Sequence, residues 1–203
     1  MTTEDSETPP PTGRPRDPVL EQAILNATVE VVARSGFAAA KLEDIAKRAG
    51  TGKAAIYRRW PSKTALVVAA AENLQSPVAI PDTGSLREDL LGCVRHYITP
   101  SARAALALAT VLAEASRNTE LRDAAQAAIG QPPVEALRAV LARWIARGAV
   151  DPATPVDLIA GLVPAVAFHR VALLHQGLDE ATAVALVDDV LLPALHAPAG
   201  DTP

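Results

Sequence analysis

The chain has 203 residues, of which 49% are hydrophobic, 21% charged and 3% aromatic. This length accommodates one large or two small domains, and this composition excludes an intrinsically disordered chain. The single cysteine, Cys93, excludes a disulfide framework and a thiolate metal cage built within one chain. No apolar stretch follows a basic N-terminal region, so the sequence predicts a cytoplasmic protein without a signal peptide.

The net charge of −4 is unevenly distributed along the chain. Residues 14–63 carry ten Lys and Arg against five Asp and Glu, whereas residues 64–203 carry nine against fifteen. All four lysines lie between positions 41 and 63. A basic segment beside an acidic body favours a polyanionic partner for the N-terminal part alone, although a solvated charged face would give the same composition.

The N-terminal part of the chain is predicted to be a small helical domain. Residues 1–13 are acidic, rich in Pro and Thr and without apolar periodicity, which predicts a disordered tail. Asp17 and Ser62 are expected to cap the first and fourth helices of the domain at residues 14–75. Apolar spacing and turn residues place these helices at about 18–36, 42–49, 53–59 and 63–75.

The remainder of the chain is also predicted to be helical. Residues 76–84, SPVAIPDTG, form a predicted linker, and residues 85–203 form a second domain. Its helices are expected at about 86–98, 103–115, 119–129, 134–147, 156–175 and 179–195. No segment shows strand alternation, so the fold class is all-α with about nine helices. The apolar run that begins at Val156 contains ionisable residues and a proline, which argues against a membrane span.

Two short helices joined by a glycine-containing turn lie inside the basic segment. This arrangement is typical of a helix-turn-helix DNA-binding unit, whose second helix enters the major groove. Lysine and arginine side chains can bond guanine edges or phosphates, and Lys63 is expected to clamp a phosphate at the start of the fourth helix. The predicted DNA-binding residues of this segment are Lys41, Thr51, Gly52, Lys53, Tyr57, Arg58, Arg59 and Lys63.

A basic arm, GRPRDP, precedes the first helix and contains Arg14 and Arg16. Arginines on such an arm can reach the minor groove beside a helix-turn-helix unit. The alternative is a basic linker that makes only transient phosphate contacts, because arm contacts depend on the shape of the operator.

The segment AILNATVEVVARSGFAAAKLEDIAKRAGTGKAAIYRRWPSKTALV resembles the DNA-binding region of TetR-family transcriptional regulators. It keeps the DIA-x-x-AG turn and a recognition helix that is followed by Trp60 and PSK. RNTELRDAA, VDPATPVDLIAGL and GLDEATAVALVDDVLL are similar, less specifically, to the C-terminal domain of that family. The resemblance implies a three-helix DNA-binding domain followed by a larger helical domain for effector binding and dimerisation.

The segment departs from the family pattern at the start of the first helix of the pair and after the turn. Family members usually carry Thr or Ser where this chain has Lys41. They often carry Ser, Gly and Thr after the turn, where this chain has Gly52, Ala54 and Ala55, so a hydroxyl that often contacts DNA is absent at position 55. DNA specificity is therefore expected to depend on Lys53, Tyr57 and Arg58, with Thr51 as a further candidate. Lys41 is expected to add a phosphate contact.

The C-terminal domain offers few candidates for chemistry. Aromatic side chains favour ligand pockets, so the predicted effector-binding residues are Tyr97, Trp144, Phe168 and His169, with core packing as the alternative. Cys93 and His96 have a spacing that suits a metal, but tetrahedral zinc needs four ligands, so no metal or cofactor is predicted. The chain lacks the common motifs of hydrolases and nucleotide-binding enzymes, which indicates that it is not an enzyme.

These patterns together predict a homodimeric transcriptional regulator, more specifically a repressor, released from a palindromic operator by a small and largely apolar effector. The last two helices are apolar on many sides, and the predicted dimer contacts are Leu162, Val166, Val184, Val187 and Leu191. One alternative is a helical enzyme or small-molecule carrier that binds no DNA. Another is a DNA-binding dimer without an effector pocket.

Overall fold

A computed structural model describes residues 17–98 and 101–196, and nine helices account for most of this part of the chain. The first six are α1 (Pro18–Ala39), α2 (Leu42–Arg48), α3 (Lys53–Tyr57), α4 (Lys63–Glu72), α5 (Leu86–Val94) and α6 (Ala102–Ala115). α7 comprises Thr119–Ala125, the π turn Gln126–Gly130 and Gln131–Ala146. α8 is Val156–Leu174, and α9 comprises Glu180–Ala185, the π turn Leu186–Leu191 and Leu192–His196. The all-α class is confirmed, since the described residues form no strand beyond one isolated bridge between Ile98 and Leu178.

Local side-chain chemistry fixes the ends of the N-terminal helices. The Asp17 carboxylate accepts hydrogen bonds from the Val19 and Leu20 amides at 3.0 and 3.2 Å, which satisfies free donors in the first turn of α1. Gly36 has φ +78° and kinks α1 near its end, a conformation that glycine adopts without steric cost. The expected cap at Ser62 is confirmed, because its hydroxyl accepts from the Ala65 amide at 3.0 Å.

The segment predicted to be a linker is hydrogen-bonded to the helices beside it. The Asp89 carboxylate on α5 accepts from the amide and the hydroxyl of Thr83, both at 2.7 Å. It also accepts from Trp144 Nε1 at 2.9 Å and from Arg143 at 3.1 Å, both on α7. Arg143 additionally donates to the carbonyl of Pro81. Residues 76–84 therefore connect α4 to α5 as a strap that is fixed to α5 and α7.

α7 is one continuous helix, whereas the sequence predicts two helices on either side of a Gly-Gln-Pro-Pro break. The Gln131 amide bonds to the carbonyl of Gln126, five residues back, so the backbone is wider there than in an α-helix. A proline in a regular helix loses one hydrogen bond and clashes with the carbonyl four residues earlier. The wider π turn relieves this conflict at Pro132 and Pro133, and π turns are frequent at functional sites.

Buried apolar side chains form two main clusters. The first unites the N-terminal helices α1 to α4 with Val111 and Ala115 of α6 and with Leu121 and Ala125 of α7. The second unites α5, the rest of α7, α8 and α9. Because α6 packs against α1 and α4, and the start of α7 packs against α4, the first cluster joins the N-terminal helices to the helices of the C-terminal part.

Candidate DNA-binding surface and effector cavity

α2 and α3 form the expected helix-turn-helix arrangement. Gly50 has φ +68°, and the Thr51 amide bonds to the carbonyl of Ala46 at 2.9 Å, so the chain turns sharply between the two helices. Ile45 and Ile56 are buried between them. This packing leaves one face of α3 open to solvent, where a nucleic acid can approach.

Five of the predicted DNA-binding residues lie on the solvent-facing side of this unit, namely Lys41, Gly52, Lys53, Tyr57 and Arg58. Thr51 is half-buried in the turn. Tyr57 is 52% exposed although it is aromatic, and Arg58 follows it at the end of α3. Large aromatic and basic side chains exposed side by side can stack on sugars and pair with phosphates.

Lys53 and Glu43 connect the two helices across the same face. Lys53 Nζ lies 2.6 Å from Glu43 Oε1, and both side chains are exposed. The hydrogen bond from Lys53 lowers the pKa of Glu43. The same hydrogen bond raises the pKa of Lys53. An exposed ion pair is weak, so a phosphate can compete with Glu43 for the ammonium group. Lys41 precedes α2 without capping it, which leaves its side chain available.

The phosphate contact expected of Lys63 stays a prediction, because in this structure its ammonium group bonds to backbone carbonyls of the chain itself. Its ammonium donates to the carbonyls of Phe37, Ala38 and Ala40 at 2.9, 3.3 and 3.4 Å. It also lies 4.5 Å from the centroid of the Phe37 ring. An ammonium group has three donors, and all three are used to satisfy carbonyls at the end of α1. Lys63 is therefore a structural residue of the N-terminal domain.

Arg59 also turns away from the expected DNA-facing position. Its side chain is only 12% exposed, and Nη1 donates to the carbonyl of Ala55 at 3.1 Å. Its Nε lies 3.9 Å from the carboxylate of Glu21 on α1. The Arg59 side chain thus lies between α3 and α1. The two arginines of the basic arm, Arg14 and Arg16, lie outside the described residues.

A cavity of about 280 Å³ lies in the C-terminal part of the chain. Its walls come from α6, α7 and α8, from Tyr97 after α5, and from Gln75 after α4. The lining is largely apolar, with Leu108, Val111 and Leu112 from α6 facing Phe168 and Val171 from α8. Pockets of this character bind small organic molecules.

Two of the four predicted effector-binding residues, Tyr97 and Phe168, line the cavity. Burial raises the pKa of Tyr97, so its hydroxyl stays protonated at neutral pH. Trp144 does not line the cavity, because its indole donates to Asp89 and its ring packs under Arg147 at 5.0 Å. His169 does not line it either, because its side chain is exposed on another face of α8.

Most cavity residues were missed by sequence reasoning because they are ordinary core types. Alanine, leucine and valine at helical spacing give no signal that separates a cavity wall from a packed core. Arg122 and Gln126 did carry a signal, since they are polar and one turn apart on the face of α7 that meets α4 and α6. The π turn Gln126–Gly130 places Gln126, Ile129 and Gly130 at the cavity wall.

The two residues with metal-compatible spacing are packing residues. Burial raises the pKa of the Cys93 thiol to about 11, which disfavours a metal-binding thiolate. His96 is buried, and its Nδ1 donates to the carbonyl of Ser76. Across residues 17–98 and 101–196, no group of three or more His, Cys, Asp or Glu side chains is placed to hold a metal ion.

α8 presents an apolar stripe to solvent. Leu158 and Leu173 are 65% and 69% exposed, which is unusual for side chains of this size. Four exposed positions and the half-buried Leu162 share one helical face: Leu158, Ala165, His169 and Leu173. Phe168 and Leu174 are also exposed, at 52% and 48%, on other sides of α8. α8 is also the one helix in the described ranges that is long and apolar enough to cross a membrane by length and composition, with a mean hydropathy of 1.6.

The predicted dimer contacts divide into two groups. Leu162 and Val166 on α8 and Val184 on α9 are half-buried, so part of each side chain is free for a partner. Val187 and Leu191 are completely buried in the core of a single chain. The prediction for these two residues is therefore wrong, since they offer no surface to a second copy. On α9 the exposed large apolar residue is Val190.

Two family models match the chain. The model described as "Bacterial regulatory proteins, tetR family" matches residues 24–70, which contain the helix-turn-helix unit. The model described as "Tetracyclin repressor-like, C-terminal domain" matches residues 80–190, which contain the cavity wall except for Gln75. The two matches together span both of the regions in which the geometry places candidate sites.

Similar proteins are found both by sequence and by structure. The HTH-type transcriptional regulator Mb1581 of Mycobacterium bovis is 32% identical, with 90% of this chain and 93% of the relative covered. The DNA-binding transcriptional repressor TetR of Mycobacteroides abscessus is 31% identical, with 84% and 90% covered. The crystal structure of the TetR family transcription regulator SCO0332 superposes with a TM-score of 0.59 at 26% identity, covering 85% of this chain and 96% of that one.

Proposed function

Because the chain belongs to the TetR family of transcriptional regulators, we propose that it is a homodimeric repressor of transcription. It binds a palindromic operator through residues 14–75 and releases it when a small, largely apolar effector enters the domain at residues 85–203. The observation that carries the proposal is the solvent-exposed face of α3, where Lys53, Tyr57 and Arg58 stand together.

DNA binding is supported because the solvent-exposed face of α3 lies within the basic segment of the chain. The segment that contains α1 to α3 is the basic part of an otherwise acidic chain, so a polyanion is attracted to it alone. α3 is slim enough to enter a major groove about 12 Å wide. Lys41 and Thr51 lie beside it and extend the contact surface to the backbone on either side.

Effector control is supported by the position of the cavity. Its wall includes Gln75, three residues after the end of α4, and α4 belongs to the same buried cluster as α1 and α6. A ligand that fits one arrangement of α6 and α7 better than another also changes the position of α4. Such a ligand shifts the equilibrium between DNA-competent and DNA-incompetent states by its difference in affinity for the two.

Dimerisation is supported by the apolar stripe of α8. One short recognition helix contacts few base pairs, so regulators of this type bind two half-sites through a two-fold dimer. Pairing the stripes of two copies removes Leu158, Leu162 and Leu173 from water. This pairing accounts for the exposed apolar surface better than a membrane does, since the family consists of DNA-binding regulators.

The family consists of transcriptional regulators, which are not enzymes. We accordingly assign the chain no catalytic residue and no cofactor. Its DNA partner places its action in the cytoplasm.

The test is selection of bound duplexes from a random pool, followed by mobility-shift titration of the selected sequence. A palindromic consensus bound by the wild-type dimer, and lost with Tyr57→Ala, supports the proposal. Arg138→Met is the matched control, because Arg138 pairs with Asp157 far from α3 and its loss should leave affinity unchanged. Failure to enrich any sequence, with the protein folded and dimeric, contradicts the proposal.

A further inference from the structure

The effector cavity has a single charged side chain in its described wall. Among the residues that line it, Arg122 carries a positive charge, and the other fourteen are apolar or uncharged. No aspartate or glutamate faces the same space in the part of the chain that the structure describes. Among these described lining residues, Arg122 is therefore the one formal charge that a ligand meets, and a positive charge attracts an anionic group and repels a cationic one.

The charge of Arg122 is only weakly compensated by the protein. Its nearest carboxylate is that of the adjacent Asp123, at 3.5 Å, and the two side chains are 55% and 69% exposed. A pair this exposed contributes little and is readily exchanged for a better partner. A ligand carboxylate can accept two parallel hydrogen bonds from the guanidinium, a stronger arrangement.

Gln126 lies one helical turn after Arg122, on the same side of α7. Its side chain folds back over Gly130, where an added Cβ would stand 2.6 Å from the amide oxygen. The absence of a side chain at Gly130 thus leaves room for the Gln126 amide at the cavity wall. An amide donor beside the guanidinium gives a second hydrogen bond to the same anionic group.

Gln75 supplies a further polar contact on the α4 side of the cavity. Its Oε1 is buried without a hydrogen-bond partner among the described residues. A buried acceptor without a donor is unfavourable, because it has lost its hydrogen bonds to water. A ligand hydroxyl or N–H group relieves this cost, whereas a purely hydrocarbon body does not.

We propose that the effector is an apolar organic acid, whose carboxylate binds Arg122 and Gln126 while its hydrophobic body lies between α6 and α8. The proposal rests on the proposed function, since it assumes that this cavity is the effector site. Leu108, Leu112 and Phe168 provide the apolar contacts, and Arg122 determines specificity for an acid.

Calorimetric titration of the purified full chain with matched probes tests this assignment. The pairs are decanoate with decan-1-ol and 2-naphthoate with 2-naphthamide, and decyltrimethylammonium serves as a cationic probe. We expect at least one acid to bind about tenfold more tightly than its neutral counterpart, and the cation to bind more weakly than both. In Arg122→Met this preference falls to within twofold, whereas Arg117→Met, at an exposed arginine outside this cavity, keeps it.

A wild-type protein that shows no preference for either acid, including one that binds none of the probes, overturns the proposal. So does a preference that survives Arg122→Met. Mobility shifts on the selected operator separate this outcome from failure of the proposed function. If only neutral compounds release the operator complex, the proposed repressor function is supported and the proposed acidic effector is contradicted. If the protein binds an acid tightly but binds no DNA, the acid site is supported and the proposed repressor function is contradicted.

Discussion

The ammonium group of Lys63, at the start of α4, donates a 2.9 Å hydrogen bond to the backbone carbonyl of Phe37, at the end of α1. Gly36 breaks α1 immediately before Phe37, so the last carbonyls of the helix have no partners further along it. Lys63 satisfies them from another helix and covers the Phe37 ring at the same time. A residue that resembles a DNA contact in the sequence is thus a cap within the domain.

Lys63→Met should destabilise the protein by about 2 kcal/mol, because hydrogen bonds from a charged group and a cation–π contact are lost together. Thermal unfolding should shift by about 5 °C to lower temperature. Lys47→Met, at an exposed lysine of α2, is the control and should leave the midpoint unchanged. At a temperature where both variants are folded, Lys63→Met should keep the wild-type salt dependence of operator binding. A flatter salt dependence would restore Lys63 as a phosphate contact.

Arg58 and Arg59 are adjacent in sequence and should behave differently. Arg58 is exposed beside Tyr57, so Arg58→Met should flatten the plot of log affinity against log salt by about one unit per subunit. Arg59 bonds to Ala55 and lies near Glu21, so Arg59→Met should lower the unfolding midpoint and preserve the slope. Titrations at four salt concentrations measure both slopes. Equal slopes in the two variants would contradict this division of roles.

The sequence predicted the helices and their caps because these depend on local chemistry. Asp17 and Ser62 cap the helices that they precede, as expected from the hydrogen-bonding geometry of short polar side chains. The direction of a long basic side chain depends instead on carbonyls brought close by the fold. Sequence reasoning therefore placed Arg58 correctly on the surface, but it did not predict that Lys63 and Arg59 bond to backbone carbonyls.

The candidate effector site was less predictable than the DNA-binding surface. Charge and turn residues mark α2 and α3 in the sequence, whereas the cavity is an absence of atoms between ordinary apolar side chains. Phe168 was found because it is aromatic, and Trp144 was wrongly included for the same reason. The continuity of α7 also escaped prediction, since the π turn that tolerates its prolines has no reliable sequence signal.

The stripe on α8 should be the dimer contact. Leu158→Glu combined with Leu173→Glu places two charges on the stripe of each copy, and therefore four in the paired interface. This double variant should be a folded monomer, because unpaired charges are costly to bury. Sedimentation at micromolar concentration measures the state, and circular dichroism verifies that helicity is retained. Operator affinity should fall with the dimer, although neither residue contacts DNA.

Two further variants serve as controls for that experiment. Val78→Glu, at an exposed apolar residue of the strap, should remain dimeric. Val187→Glu should fail to fold instead of dissociating, because Val187 is completely buried in one chain. A folded monomer from Val187→Glu, or an unchanged dimer from the double variant, would place the interface elsewhere.

The buried carboxylate of Asp89 should make stability depend on acidity. Burial alone would raise the pKa of Asp89, but hydrogen bonds from Thr83, Trp144 and Arg143 outweigh it and hold the pKa below its ordinary value. The ordinary pKa of an aspartate side chain in an unfolded protein is about 3.9. A carboxyl whose pKa is lower in the folded protein stabilises it fully above the unfolded pKa, and this stabilisation is lost as pH falls through the folded pKa.

Asp89→Asn should therefore destabilise the protein by about 3 kcal/mol at pH 7, because a buried charge-assisted network loses its acceptor. The difference in unfolding free energy between wild type and variant should shrink progressively below about pH 4, where protonation of Asp89 weakens the same network in the wild type. Urea unfolding at several pH values between 3 and 7 measures it. Asp188→Asn is the control, since Asp188 also has a lowered pKa from its bond to Arg87 but is partly exposed, so its difference should be small at every pH. A constant difference for Asp89→Asn across this range would show that the carboxylate charge does not stabilise the strap.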